Sequence, residues 1–234
     1  MILGIEQKKK EVRSYYEKIT GYLKKDLSAL MLSDDKGYDV GCGPYILTTC
    51  SGIDNLGEIF APRTFRRNAA WFKFFIREYL GKVQQVYQNN KVDTFIYKVI
   101  RCGQIHEAIV KPGVLIGKQH KEYHLKILKI AKEWGSLTPI KLVFFNVRSF
   151  AEDFLASLKY CEEKLKDDGV IVKSYDFLVS RDHKNEKIQR KFQPKLEEVE
   201  INYDNFSTLY QSSSSSPRVQ GGTYLKEEFW QEFV

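Results

Sequence analysis

The sequence predicts a mainly α protein: a bundle of antiparallel, up-and-down helices with a small β-hairpin inserted after the fourth helix. Three observations predict it. Apolar residues recur at three- and four-residue intervals over five long segments. Turn chemistry separates those segments. β-type patterning comes in brief runs, most of them between Ile109 and Phe145.

A first helix is expected over Glu6 to Met31, where Val12, Tyr15, Tyr16, Ile19, Leu23, Leu27 and Leu30 make one stripe. Ser33-Asp34-Asp35-Lys36-Gly37 stops it. A second runs from Pro44, whose missing N–H suits a first helical turn, to Phe60. It is short of charge, which predicts a central position, and Asp54 stands almost alone inside it. A carboxylate there is costly unless it is paired or hydrogen-bonded. Gly52 and Gly57 flank it and allow close approach of another backbone. The third helix is placed at Thr64 to Leu80. The fourth is placed at Lys91 to Glu107, with Val92, Phe95, Ile96, Val99 and Ile100 as its stripe and Asp93 able to cap a shorter version.

The pattern then changes. Ile109-Val110 and Val114-Leu115-Ile116 flank Pro112-Gly113 and predict a hairpin. Tyr123 to Ile130 fits strand or helix, and Ile140 to Phe145 a short strand. A fifth helix is expected over Val147 to Lys166. Residues 1–166 are thus assigned to one helical domain and 167–234 to a C-terminal extension. The extension contains a strand or helix at Ile171 to Val179, a Ser-rich linker at 211–222 and an amphipathic tail, Tyr224 to Val234.

Composition excludes several classes. With 43% hydrophobic and 14% aromatic residues, the chain is too apolar for intrinsic disorder. The uncharged run that begins at Val40 is too short and too polar to span a bilayer, so no membrane partner is expected. Met1 to Ile5 lacks a charged start and a long apolar core, so no secretory signal is expected, and a cytoplasmic address follows. Cys42, Cys50, Cys102 and Cys161 are widely spaced, as reduced thiols are. His120 and His124 have the i,i+4 spacing of a helical zinc pair, but no acidic or Cys ligand is placed to complete a site. No metal and no cofactor are therefore expected.

The formal net charge is +7, and its placement is informative. Between Arg63 and Lys91 the basic residues are Arg63, Arg66, Arg67, Lys73, Arg77, Lys82 and Lys91, and the only acid is Glu78. Phe65, Trp71, Phe72, Phe74, Phe75, Tyr79 and Tyr87 interleave with them. Cations for phosphates and rings for bases make a single-stranded nucleic acid site. An amphipathic helix with an aromatic core face and a solvated basic face accounts for the same pattern.

The fourth helix ends in Arg101-Cys102-Gly103-Gln104-Ile105-His106-Glu107-Ala108. On an α-helix a five-residue offset leaves two side chains ~140° apart with ~7.5 Å of rise, so one rigid helix does not aim Arg101 and His106 at a single atom. Two such pairs facing across a symmetric interface would share a cleft. The pair suits RNA cleavage without a metal. His106, titrating near neutrality, would move the 2′-hydroxyl proton or protonate the leaving 5′-oxygen. Arg101 would stabilise charge on the phosphate. A cap contact plus a surface histidine explains the spacing equally.

This stretch resembles the signature of the HEPN superfamily, an arginine followed after four to six residues by a histidine on an all-α core. Cys50 to Gly57 is similar to the second core helix of bacterial HEPN-like proteins, and Phe145 to Phe150 fits the same layout. The resemblance covers roughly residues 1 to 166. It implies a homodimer with facing motifs and a ribonuclease of toxin or antiviral-defence type, with Arg101 and His106 as the catalytic pair. An antitoxin or defence protein is the implied partner. It equally admits a catalytically inactive scaffold that binds RNA or protein. Cys102 stands where the family is frequently polar, often Asn, and is either part of the site or packing. Asp54 is the candidate supporting residue, orienting the site or satisfying a buried contact. Glu107 and Lys111 either line the cleft or are solvated; Lys111 joins Arg63, Arg66, Arg67, Lys73 and Arg77 as candidate RNA contacts. In some members of the family a companion nucleotidyltransferase antitoxin acts on a Tyr just beyond the His; none occurs here before Tyr123, so that pairing is not inferred.

Overall fold

The computed structural model describes residues 4–62, 64–65, 67–103, 113–130 and 140–192. The chain divides into two units, Met1–Lys184 and Asn185–Val234.

Among the described residues six α-helices dominate the first unit: α1 (Ile5–Asp35), α2 (Cys42–Phe60), α3 (Asn68–Glu78), α4 (Asn90–Phe95), α5 (Val147–Lys164) and α6 (Asp168–Phe192), the last running past the unit's end. Three strands, β1 (Val114–Gly117), β2 (Lys126–Ile130) and β3 (Ile140–Asn146), form one small sheet. No helix among the described residues is long and apolar enough to cross a membrane.

Local chemistry sets the helix ends. α1 stops where Gly37 takes a left-handed φ of 80°, which glycine adopts without a Cβ penalty. The Gly37 and Tyr38 amides then donate back to the Asp34 and Ser33 carbonyls. Asn146 ends β3 and caps α5, its side chain accepting from the Ser149 amide at 2.8 Å. Asp167 does the same for α6 through the Gly169 amide.

Helix α2 is central. It packs on α1, α3 and α5, and Tyr45, Ile46, Cys50, Ile53 and Leu56 are fully buried on it. Gly52 and Gly57 set how closely neighbours approach. A Cβ on Gly57 would lie 2.7 Å from the Trp71 carbonyl oxygen of α3, and one on Gly52 would lie 2.5 Å from the Phe154 ring of α5.

The first arm of the expected hairpin, Ile109-Val110, lies outside the described residues; its second arm, Val114–Gly117, stands in a mixed sheet of order β1-β3-β2. β1 pairs with β3 in parallel, Ile116 opposite Phe145, and β2 pairs with β3 antiparallel, Ile127 opposite Val143. Gly113 does take the positive φ of a turn, but Val114–Gly117 finds its partner across the fold, where β3 buries Phe144 and Phe145. The fourth helix is not uniformly α. Asn90–Phe95 is α-helical, and Ile96–Arg101 is π-helical. Asn89, rather than Asp93, caps it, accepting from the Lys91 amide at 2.9 Å. Asp93 lies inside the helix, buried. Residues 104–107, the rest of the expected helix, lie outside the described residues, as do Arg63, Arg66, Lys111, residues 211–222 and the tail 224–234.

The sheet is tied to the helices by a buried polar chain. The Asn146 amide donates to His124 Nδ1 at 3.0 Å, so the ring proton sits on Nε2, which donates to the Tyr87 hydroxyl at 2.9 Å. Tyr87 donates to Asp153 Oδ2 at 2.8 Å, and Gln84 donates to the same carboxylate. His120, by contrast, has a left-handed backbone and contacts Glu122, so the two histidines do not share a helix.

Gly57→Ala should lower stability by about 1–3 kcal/mol, because backbone oxygen cannot move aside as a ring edge can. It should cost more than Gly52→Ala, read as a lower urea midpoint at unchanged slope. A pH titration of stability makes a second measurement. Burial depresses the His124 imidazole to about 4 from an ordinary 6.5. The unfolded chain therefore binds the extra proton first. Stability is complete above pH 6.5 and falls as pH drops toward 4, by about 3 kcal/mol over the window. His124→Asn keeps an acceptor for the Asn146 amide and should flatten that slope. The difference from wild type isolates His124 from Asp153, whose carboxyl burial raises.

Candidate functional site

The π-helical segment carries the described part of the predicted motif. Ile96 and Ile100 are buried in the core. A π turn takes an extra residue relative to an α turn, so it rotates the residues after it and often marks functional positions. Here the rotated residue is Arg101, which turns toward α2.

Arg101 meets Asp54. Its Nε and Nη2 donate to Asp54 Oδ2 at 3.1 and 3.0 Å. The Arg101 side chain is 12% exposed and that of Asp54 26%, so the pair sits at the floor of the surface rather than in the core. Arg101 Nη1 points to Cys102 Sγ at 3.9 Å. The guanidinium also lies over the Tyr97 ring, 5.3 Å from its centroid, and Tyr97 packs edge-on against Phe72 of α3. Carboxylate, thiol and ring hold the cation from three directions.

The electrostatics follow from this packing. Burial pushes the Asp54 carboxyl above its ordinary range, and Arg101 offsets only part of that. Burial opposes the charge on Arg101, but Asp54 and the contact with Cys102 outweigh it, so the guanidinium is held charged. Burial also raises the Tyr97 hydroxyl and takes the Cys50 thiol on α2 far from ionisation. Among the described residues, the chemistry available is that of a cation held in place and able to meet an anion.

The structure brings Asp54, Arg101 and Cys102 together. His106 and Glu107 lie outside the described residues. Of the proposed RNA contacts, Arg67 is exposed at the start of α3. Lys73 and Arg77 reach α4, Lys73 donating to Thr94 at 2.8 Å and Arg77 facing Asp93 at 3.0 Å. Tyr97 was missed as a site residue, although its i,i+4 spacing to Arg101 is the spacing of side-chain neighbours. No group of three or more metal-ligating side chains is gathered among the described residues. Comparisons with protein-family models, curated proteins and solved structures find no significant match to the chain.

The Asp54–Arg101 pair makes a measurable demand. Asp54→Ala leaves a half-buried guanidinium unpaired and should lower stability by roughly 1–3 kcal/mol. Arg101→Ala should cost a similar amount. The double variant should lose less than the sum, the coupling energy being the readout of a denaturation cycle.

Proposed function

We propose that the chain is a metal-independent endoribonuclease whose site is completed by two copies, each contributing Arg101 and His106. The observation that supports this is the state of Arg101. It is a charged, oriented guanidinium at the end of a π-helical turn, fixed by Asp54 and Tyr97 before any anion arrives. Preorganised charge of this kind stabilises a transition state without reorganising as it forms.

In the proposed reaction the 2′-oxygen attacks the adjacent phosphorus and the bond to the 5′-oxygen breaks. The products are a 2′,3′-cyclic phosphate and a 5′-hydroxyl. One His106 takes the 2′-hydroxyl proton, the other protonates the leaving oxygen, and Arg101 neutralises the charge gathered on the phosphate. DNA lacks the nucleophile and is spared. The HEPN resemblance supplies the pairing of two motifs across a dimer and the toxin or defence setting.

One observation favours a second reading, an inactive HEPN-like scaffold that binds RNA or a protein. Nε and Nη2 of Arg101 are both spent on Asp54, as in an ion pair that only secures a helix. The two readings separate in one assay. Purified chain is incubated with RNA in EDTA, alongside Arg101→Ala and His106→Ala. The nuclease reading expects cleavage by wild type and a loss of at least roughly a hundredfold in each variant. Equal cleavage by all three, or by none, removes it. The scaffold reading expects salt-sensitive RNA binding without turnover.

A further inference from the structure

The geometry points to Asp93 as a positioning residue that holds Arg77 and Lys73 as a phosphate clamp for single-stranded RNA. This rests on the proposed RNA activity and deepens it, adding a binding device away from Arg101.

Asp93 is 1% exposed, on a helix of six residues. A carboxylate so buried must be compensated. Its Oδ1 accepts from the Thr94 hydroxyl at 2.8 Å, and that same hydroxyl accepts from Lys73 Nζ at 2.8 Å. Its Oδ2 lies 3.0 Å from Arg77 Nε, an ionic contact without hydrogen-bond alignment. One buried acid thus anchors two cations, directly and through a hydroxyl. Lys73 and Arg77 are four apart on α3 and so lie side by side on one face.

The groups that the anchor leaves open are decisive. Asp93 faces the Nε of Arg77, and the guanidinium has no hydrogen bond among the described residues. Its side chain is 42% exposed. The two Nη groups are the edge that matches a phosphate bidentately. Two cations on one carboxylate leave one net positive charge, which calls for an anion.

The clamp lies on the same helical stretch as Arg101. Thr94 precedes Arg101 by seven residues, with Tyr97 between them in the π segment. Seven residues of helix span on the order of 10 Å, within reach of neighbouring nucleotides on one strand. A flexible strand, rather than a protein surface, fits two separated phosphate contacts with an aromatic ring between them.

The test uses the full chain and a fluorescein-labelled, 2′-O-methylated single-stranded RNA, which binds without being cut. Anisotropy is followed against salt. Arg77→Ala and Lys73→Ala should each weaken binding on the order of tenfold and flatten the log–log salt slope by about 0.7. Arg77→Lys should not restore it. Asp93→Asn is the discriminating variant. It removes a negative charge, so electrostatics alone would tighten RNA binding, whereas loss of positioning weakens it. Binding by Asp93→Asn equal to or tighter than wild type overturns the inference, as does an unchanged slope in Arg77→Ala. Should Asp93→Asn fail to fold, Thr94→Val takes its place, and unchanged binding there is equally fatal. A wild type that does not bind the modified RNA also overturns it. Cleavage of ordinary RNA that is indifferent to Arg77→Ala and Asp93→Asn removes the clamp and leaves the nuclease reading standing. Clamp-dependent binding without cleavage does the reverse.

Discussion

A carboxylate on a nearly uncharged helix is the constraint around which this molecule is arranged. Helix α2 can be central because almost nothing on it needs water. Besides Glu58, Asp54 is the exception, and its partial burial makes the ionised form expensive. A cation must therefore come to it from a neighbour. Arg101 is brought from the fourth helix, and the change to π geometry just before it is how the chain reaches. The surroundings then fall into place, Tyr97 covering the guanidinium and Phe72 supporting the ring.

The same solution recurs at the α3–α4 contact, where Asp93 is buried and Arg77 faces it from α3. In both places an acid set in an apolar surface fixes an arginine that stays partly open to solvent. A surface arginine without such a partner spreads over many rotamers and loses that entropy whenever it meets an anion. An anchored one has lost most of it already. Asp153, another buried acid, is treated differently, receiving neutral donors from Tyr87 and Gln84. That arrangement joins sheet to helices and presents no charge outward.

Much of the helical layout was legible because it rests on spacing. The stripes at three and four residues placed α1, α2 and α5 to within a few residues, and the lack of charge in Pro44–Phe60 placed α2 at the centre. Asp54 was conspicuous for the same reason, as a charge where the pattern has no room for one. Other features depend on partners distant in sequence. Val114–Gly117 reads locally as half of a hairpin, and its parallel register with β3 brings in a partner some thirty residues further along the chain. Asp93 looks like a cap because Asp near a helix start usually is one; that Asn89 takes the cap depends on where the chain enters. The contact of Arg101 with Asp54 spans 47 positions, beyond any periodicity. A π turn has no composition of its own. Residues 96–101 carry the apolar spacing of an ordinary helix, and nothing in their identities announces the wider turn.

That wider turn separates two tasks that a regular helix would bind together. In a uniform α-helix the direction of each side chain follows from that of the one four positions before it. Any change that re-aims the arginine would then drag Ile96 and Ile100 out of the core. The π segment loosens that coupling: Ile96 and Ile100 within it answer to packing, and Arg101 at its end answers to the polar surface of α2. Packing and aim can thus vary independently along one continuous stretch of backbone. The segment can drift in its apolar residues without losing the arginine's bearing, or lose the arginine and keep its fold.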